Sequence, residues 1–156
     1  MHRLSPAVAF VLTMALMAVS AMRHQSSAED MLVGKVRVES GDTMKLGRQI
    51  VRLAGIDAPG PQDSCRIYDV TWPCGRNAKI ALLQMIAGRE VACTPEGKAG
   101  KAGVVIAICQ LDDQDIGEQM VRSGHARARG RYGNAQVEAQ RNSRGIWGGL
   151  NPSGQK

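Results

Sequence analysis

The stretch SGDTMKLGRQIVRLAGIDAPGPQDSC spans residues 40–65 and carries the densest structural signal in the chain. Turn residues 40–42 come first, and two short apolar runs, 43–46 and 49–56, then flank Gly47. Short apolar runs on either side of a glycine are typical of a β-hairpin. The end of the stretch is rich in Pro, Gly, Asp and Ser, which indicates a loop. We therefore predict two paired strands that lead into a long loop.

The flanking sequence extends this hairpin into an ordered set of strands and helices. Residues 31–39 alternate apolar and charged side chains, as in a half-buried strand. The later predicted elements are a loop over 57–73, a helix over 76–87, strands over 90–94 and 104–110, a helix from a capping box at Asp115 and Glu118 to about Ser123, and a helix over 135–144. Three strands, a helix and two strands follow the order of the five-stranded OB barrel, so we predict a β-barrel plus about three helices.

The N-terminal residues have the composition of an export signal. Arg3 precedes an apolar and small-residue stretch over 7–21. That stretch is shorter than the roughly 20 residues that a membrane-spanning helix needs, so a cleaved signal peptide is favoured over an anchor. Small residues fit cleavage after either Ala21 or Ala28.

This composition predicts how the chain is divided. We assign residues 1–28 to the signal peptide, 29–150 to one domain and 151–156 to a tail. The predicted product is a secreted or periplasmic monomer that has no stable membrane span after signal cleavage.

Four cysteines predict two disulfides. All of them follow the signal peptide, and an even cysteine count in an exported chain favours disulfides. Their spacings of 9, 19 and 16 residues do not offer the closely paired ligands of a zinc site. We predict the pair Cys93–Cys109, which would join neighbouring antiparallel strands, and the pair Cys65–Cys74, which would close a short loop.

Basic residues are concentrated in the last third of the chain. Two of the 20 Lys and Arg residues and none of the 14 Asp and Glu residues precede Glu29, so residues 29–156 carry a net charge of +4. Only Glu138 is interspersed among the six arginines 122, 127, 129, 131, 141 and 144. Such a surface favours a polyanion, which is nucleic acid, an acidic polysaccharide or lipid headgroups, although a solvated face without a partner has the same composition. The predicted polyanion-binding residues are Arg122, Arg127, Arg129 and Arg131.

Residues 40–65 resemble the signature of the staphylococcal nuclease homologues, which combines a G-D-T turn, an R-L-x-G-I-D strand end and a D-x-P-E loop. The segments WPCGRNAKIALLQMIAG, VAC, VVIAIC, DIGEQMVRSGHA and RGIWGG follow in the family's order and spacing. The resemblance covers about residues 31–150 and implies the five-stranded OB fold of the thermonucleases.

For the active members of the family, the resemblance implies two aspartates on a calcium ion, a glutamate that activates water, and two arginines on the phosphate. Asp42 and Asp57 match the aspartates, and Arg52 matches the first arginine. Gly60 stands at the glutamate's position, so the general base is missing. Aligned on Gly103 and Cys109, the second arginine's position holds Val104.

Several residues near these positions are candidates to replace the missing groups. Lys98 and Lys101 lie close enough in sequence to lend a cation in place of the arginine missing at Val104. Asp63, three residues after Gly60, is the nearby candidate to replace the lost base, but a solvated loop position accounts for it. Ala58 replaces the usual threonine, but its backbone carbonyl could still reach a metal.

Further positions are interpreted as structural. Arg52 interrupts the apolar run 50–56, so we expect it to pair with Asp42 or Asp57, either as a structural ion network or as part of a retained metal or anion site. We expect Gly41 to allow a tight turn and Gly55 to allow a close approach between strands. His125 is interpreted as a packing or surface residue.

These features leave three functional hypotheses. The favoured one is an exported, inactive or weak thermonuclease-like protein that binds a polyanion or serves as an accessory factor. The second, from family analogy with thermonuclease-like succinoglycan-biosynthesis proteins of rhizobia, is an accessory protein in exopolysaccharide biosynthesis. The third is a calcium-dependent extracellular nuclease that hydrolyses phosphodiesters, with Ca²⁺ as its one implied cofactor.

Overall fold

The computed structural model describes residues 31–97 and 103–148. The predicted signal peptide and the predicted tail lie outside these ranges. No helix within them combines the length and the apolar character that crossing a membrane requires.

A closed sheet forms the centre of the described residues. The strands are β1 (Leu32–Val38), β2 (Thr43–Leu46), β3 (Gln49–Leu53), β4 (Ile56–Asp57), β5 (Cys65–Ile67), β6 (Val70–Trp72), β7 (Glu90–Pro95), β8 (Val104–Leu111), β9 (Gln114–Asp115) and β10 (Arg127–Ala128). The main sheet has the order β3-β2-β1-β7-β8-β9. Strands that are adjacent in this order are antiparallel, but β3 also pairs in parallel with β8. This pairing closes the five long strands, β1, β2, β3, β7 and β8, into a mixed barrel. The predicted five-stranded β-barrel is confirmed.

Within the described ranges, three α-helices accompany the barrel. They are α1 (Cys74–Ile86), α2 (Ile116–Arg122) and α3 (Gly133–Arg141), and a short 3₁₀ turn, Gly145–Trp147, follows. The predicted cap of α2 is present, since Asp115 Oδ1 accepts a hydrogen bond from the Glu118 N–H at 3.1 Å. α1 ends where Ala87 and Gly88 both take positive φ angles, as the sequence predicts for Gly88.

The core lies between the barrel interior and the apolar faces of α1 and α2. Alternation along the strands sends every second side chain inward, so Met44, Val51 and Val91 are fully buried. Helix α1 contributes Leu82 and α2 contributes Met120 to the same cluster. This packing holds the ends of β2, β3 and β4 in one region of the surface, where the candidate site lies.

The predicted loop over 57–73 contains more structure than its composition suggests. Strands β5 and β6 form a short antiparallel hairpin inside it, with Cys65 opposite Trp72. The prediction of an irregular loop is wrong here, because turn residues surround strands of only three residues each, too short to produce a periodic pattern.

Both predicted disulfides are present. Cys65 joins Cys74 and so ties β5 to the start of α1, while Cys93 joins Cys109 directly across the β7–β8 ladder. Two disulfides indicate an oxidising environment outside the cytoplasm.

Candidate functional site

Asp42 is the buried anchor of the site. It lies in the turn before β2 and is 5% exposed. Its Oδ1 accepts hydrogen bonds from the Ser40 and Thr43 hydroxyls, each at 2.8 Å, and its Oδ2 accepts from Arg52 Nε at 3.2 Å and Nη2 at 3.0 Å. Four donors therefore satisfy this carboxylate, as a buried charge requires.

Gly41 allows the turn of Asp42 to lie against helix α1. A Cβ atom at this position would lie 2.6 Å from Ala78 Cβ and 2.9 Å from Ala58 Cβ. No other residue fits without moving the turn, so the close approach of the turn to the helix accounts for this glycine.

Arg52 connects Asp42 to Asp57. It projects outward from β3 opposite Thr43, and its Nη2 lies 3.6 Å from Asp57 Oδ1. About half of its side chain, 49%, remains exposed. The pairing expected for Arg52 is found with both carboxylates at once, and these three residues, predicted from separate motifs, form one cluster.

Arg129 adds a second guanidinium to this cluster. Strand β10 pairs with β4 so that Arg127 lies opposite Asp57, and the Arg129 N–H donates to the Gly55 carbonyl at 2.8 Å. Arg129 Nη2 then donates to Asp57 Oδ2 at 2.8 Å. The result is a chain of alternating charges in which Asp57 lies between Arg52 and Arg129.

The loop at Gly60 has no carboxylate directed toward the cluster. Asp63 Oδ2 accepts a hydrogen bond from the Gly60 N–H at 2.7 Å, and the Asp63 N–H donates to the Gly60 carbonyl at 2.9 Å. Asp63 is therefore used to close the loop. The Gly60 carbonyl packs so tightly on Gly75 that a Cβ on Gly75 would lie 1.6 Å from it.

The predicted position of the second arginine is apolar and half-buried. Val104 begins β8 opposite Ile50, and Ile106 lies opposite Arg52. Neither side chain can supply a charge. Lys98 and Lys101 lie outside the described residues.

Ion pairs occupy several arginines of the basic C-terminal third. Arg122 pairs with Glu118 and Glu138, and Arg144 also pairs with Glu138. The hydrogen bond from Arg144 lowers the pKa of Glu138, and the bond to Glu118 raises that of Arg122. Arg131 pairs with Glu96.

A shallow groove borders the charge chain, the alternating series of Arg52, Asp57 and Arg129. It has a volume of about 500 Å³, and its charged lining residues are Asp57, Asp63, Arg66 and Arg127. The Arg127 guanidinium also lies 5.6 Å from the centre of the Trp147 ring, which orients it through a cation–π contact.

The family model described as staphylococcal nuclease homologue matches residues 50–149, which is more than half of the chain. The chain belongs to the staphylococcal nuclease homologue family. The closed five-stranded barrel agrees with the OB fold that this family implies.

One curated relative of this staphylococcal nuclease homologue is the succinoglycan biosynthesis protein ExoI of Rhizobium meliloti (strain 1021). The two chains are 29% identical over 141 residues, which cover 85% of this chain and 73% of the relative. The similarity therefore extends over most of both proteins.

Calcium is the usual cofactor of this family, but the described residues do not fit it as they are arranged. Ca²⁺ takes about six to eight oxygen ligands. Asp42 is satisfied by four donors, and Asp57 is bound by two guanidinium groups. Among the described residues, no group of three or more His, Cys, Asp or Glu side chains could hold a metal.

Local sequence patterns do not reveal every residue of this site. Ser40 and Thr43 serve Asp42 and have only the ordinary signature of turn residues. The role of Arg129 was hidden within the run of arginines, since its pairing with Asp57 spans 72 positions. Gly75 gives no local signal, because its close neighbour Gly60 is distant in sequence.

Proposed function

We propose that this staphylococcal nuclease homologue is an exported, non-nucleolytic or at most weakly nucleolytic protein that binds a polyanion. The observation that carries this proposal is the loop at Gly60. It offers no side chain to accept a proton from water, and the nearest carboxylate, Asp63, is hydrogen-bonded back to the loop.

The rate contributions expected of the two missing groups support the loss of efficient catalysis. A positioned general base contributes about 10²- to 10⁴-fold in rate, and one charge-stabilising donor contributes about 10²- to 10³-fold. Gly60 removes the first contribution and Val104 the second. If the two contributions were independent, the combined loss would be at least about 10⁴-fold, although groups that act as a unit are not additive.

Plasmid digestion tests the catalytic half of the proposal. The purified mature protein is incubated with plasmid DNA in calcium and, separately, in chelator, beside the Asp42→Ala variant. We expect equal background cleavage in all samples. Rapid calcium-stimulated hydrolysis that the Asp42→Ala variant lacks would instead establish the alternative, a calcium-dependent extracellular nuclease.

The binding half depends on the cations near the groove that a ligand can still reach. Arg122, Arg131 and Arg144 are each paired with glutamates. Arg127 lines the groove and has no carboxylate pair among the described residues, while Arg129 pairs with Asp57 but keeps 66% of its side chain exposed. The polyanion-binding role that we predict for the arginines is therefore best supported at these two positions. Retention on immobilised DNA or on an acidic polysaccharide at low salt tests the role. Retention on neither polymer contradicts it.

A second candidate is an accessory role in exopolysaccharide biosynthesis. It is supported by the similarity to the succinoglycan biosynthesis protein, which extends over 85% of this chain. An acidic polysaccharide would then be the polyanion, and the secreted or periplasmic location that we propose would place the protein where such polymers are exported. Deleting the coding sequence should alter the polysaccharide profile, and an unchanged profile would exclude this role.

A further inference from the structure

Arg129 is placed differently from the other arginines of the C-terminal third. Its ion-pair partner is Asp57, the residue that the family resemblance assigns to the metal, with Nη2 at 2.8 Å from Oδ2. Arg52 reaches the other oxygen of the same carboxylate at 3.6 Å. Two guanidinium groups from distant segments of the chain therefore share one carboxylate.

Both guanidinium groups keep donors for a ligand. An arginine has five N–H donors, and Arg129 uses only Nη2 on Asp57. Arg52 uses Nε and Nη2 on Asp42 and Asp57, which leaves Nη1. Their side chains are 49% and 66% exposed for Arg52 and Arg129 respectively, so these donors are accessible from solvent.

We infer that Arg52 and Arg129 form a two-guanidinium site for a single oxyanion, and that the site works without a metal. The inference rests on the polyanion binding proposed above and names the residues that hold one anionic group. Arg129, the residue after β10, supplies the second cation that is missing at Val104 on β8. Asp57 is the positioning residue, since it holds both guanidinium groups next to each other.

The ligand is an oxyanion that presents two or more oxygens, because planar guanidinium groups bind such groups through paired hydrogen bonds. A phosphate ester and a sugar carboxylate share this chemistry. Inorganic phosphate and D-glucuronate are therefore the two probes, and the one that binds more tightly identifies the source.

The experiment measures binding of each probe to the mature protein by NMR, following the arginine side-chain N–H signals, with chelator and then with calcium. We expect at least one probe to bind in chelator, with a Kd that calcium changes by less than about twofold. Arg129→Gln and Arg52→Gln should each weaken binding by about tenfold or more, as for the loss of a charge-assisted hydrogen bond. Arg129→Lys should give an intermediate Kd, because lysine keeps the charge but not the planar fork.

Arg141→Gln is the matched control. It removes the same charge near the end of α3, in a surface depression lined by Asn134, Val137, Glu138 and Asn142, none of which belongs to the site. We expect its Kd to stay within about twofold of the parent. Backbone NMR spectra show that each variant is folded, and Arg129 is exposed enough for its replacement to leave the fold intact.

Other outcomes overturn the inference. Binding of neither probe, binding that requires calcium, or an unchanged Kd in Arg129→Gln would each do so. If DNA or polysaccharide is retained while Arg129→Gln has no effect, polyanion binding stands and this site fails. If the probes bind through Arg52 and Arg129 but neither polymer is retained, the site stands and the proposed function fails.

Discussion

At the scale of single residues, the stability of the site depends on the buried Asp42 carboxylate. Asp42 is almost inaccessible to water, while its partner Arg52 is half exposed. Removing the arginine leaves a buried charge with only two hydroxyl donors. An ion pair broken in this way lowers the stability of the fold, because the remaining carboxylate is no longer compensated.

The Arg52→Met variant tests this dependence. We expect it to lower the free energy of unfolding by about 1–2 kcal/mol, a value reduced from that of a fully buried pair because Arg52 is partly solvated. Arg37→Met is the control, since Arg37 pairs with Glu39 on the surface, and it should cost less than about 0.5 kcal/mol. Urea denaturation measures both, and equal losses would mean that burial of Asp42 has no energetic role.

A second residue with a measurable effect is His125. Burial lowers its pKa below 6.5, and its Nδ1 is buried without a hydrogen-bond partner among the described residues. This agrees with a packing role. On acidification through pH 6.5 the unfolded chain takes up a proton that the folded chain resists, so stability falls as the pH falls.

The His125→Phe variant should lose this part of the pH dependence. We expect the free energy of unfolding of the parent to decrease between pH 7.5 and pH 5.5 with a slope of at most about 1.4 kcal/mol per pH unit, the limit for one proton. The variant should have a smaller slope over the same window. Glu138 titrates lower, because Arg144 lowers its pKa, so it does not obscure the comparison. Identical slopes would contradict the role of His125.

At the scale of elements, Asp115 links the start of α2 to the turn before α3. Its Oδ1 caps α2 at the Glu118 N–H, and its Oδ2 accepts a hydrogen bond from the Tyr132 hydroxyl at 2.7 Å. Burial and this bond both raise the pKa of Tyr132. One carboxylate thus holds two helices, so its removal affects both.

Asp115→Ala should lower the free energy of unfolding by about 2 kcal/mol. The lost cap accounts for about 1 kcal/mol and the lost tyrosine bond for about the same. Gln114→Ala, an exposed neighbour, should change it by less than about 0.5 kcal/mol. Thermal and urea unfolding compare the two variants, and similar values for both would show that the cap is dispensable.

At the scale of the whole molecule, the charge that faces a polyanion differs from the charge counted in the sequence. The full chain carries +6, but glutamates offset much of the positive charge of the C-terminal third. On duplex DNA, the slope of log K against log salt concentration is about −0.9 for each cation that contacts a phosphate, so the slope reports the number of such contacts.

This offset yields a prediction for two matched variants. The slope of log K against log salt for DNA should become less steep by about one unit in Arg127→Gln, because Arg127 borders the groove without a carboxylate pair among the described residues. Arg122→Gln should leave the slope nearly unchanged, since Glu118 and Glu138 already neutralise that arginine. Binding isotherms at several salt concentrations measure both slopes. Equal changes would mean that the whole basic segment contacts the polymer.

Much of the fold was predictable from local patterns. Alternation in β1, the glycine-centred β2–β3 hairpin, the helical spacing of α1 and the capping box of α2 each depend on neighbours in the chain. The Cys93–Cys109 disulfide followed from the predicted strand order, and the Cys65–Cys74 disulfide followed from the short loop that it closes. The β5–β6 hairpin was missed, because strands of three residues leave no periodic signal.

Local pattern and residue identity are sufficient to predict the barrel, its helices, its disulfides and the loss of the carboxylate at Gly60. The folded arrangement is needed to see which arginines are neutralised, that Asp63 closes its own loop, and that Arg129 meets Asp57 beside Arg52. The physical reason is that ion pairs form between side chains that distant strands bring within a few ångströms. No local pattern encodes that distance.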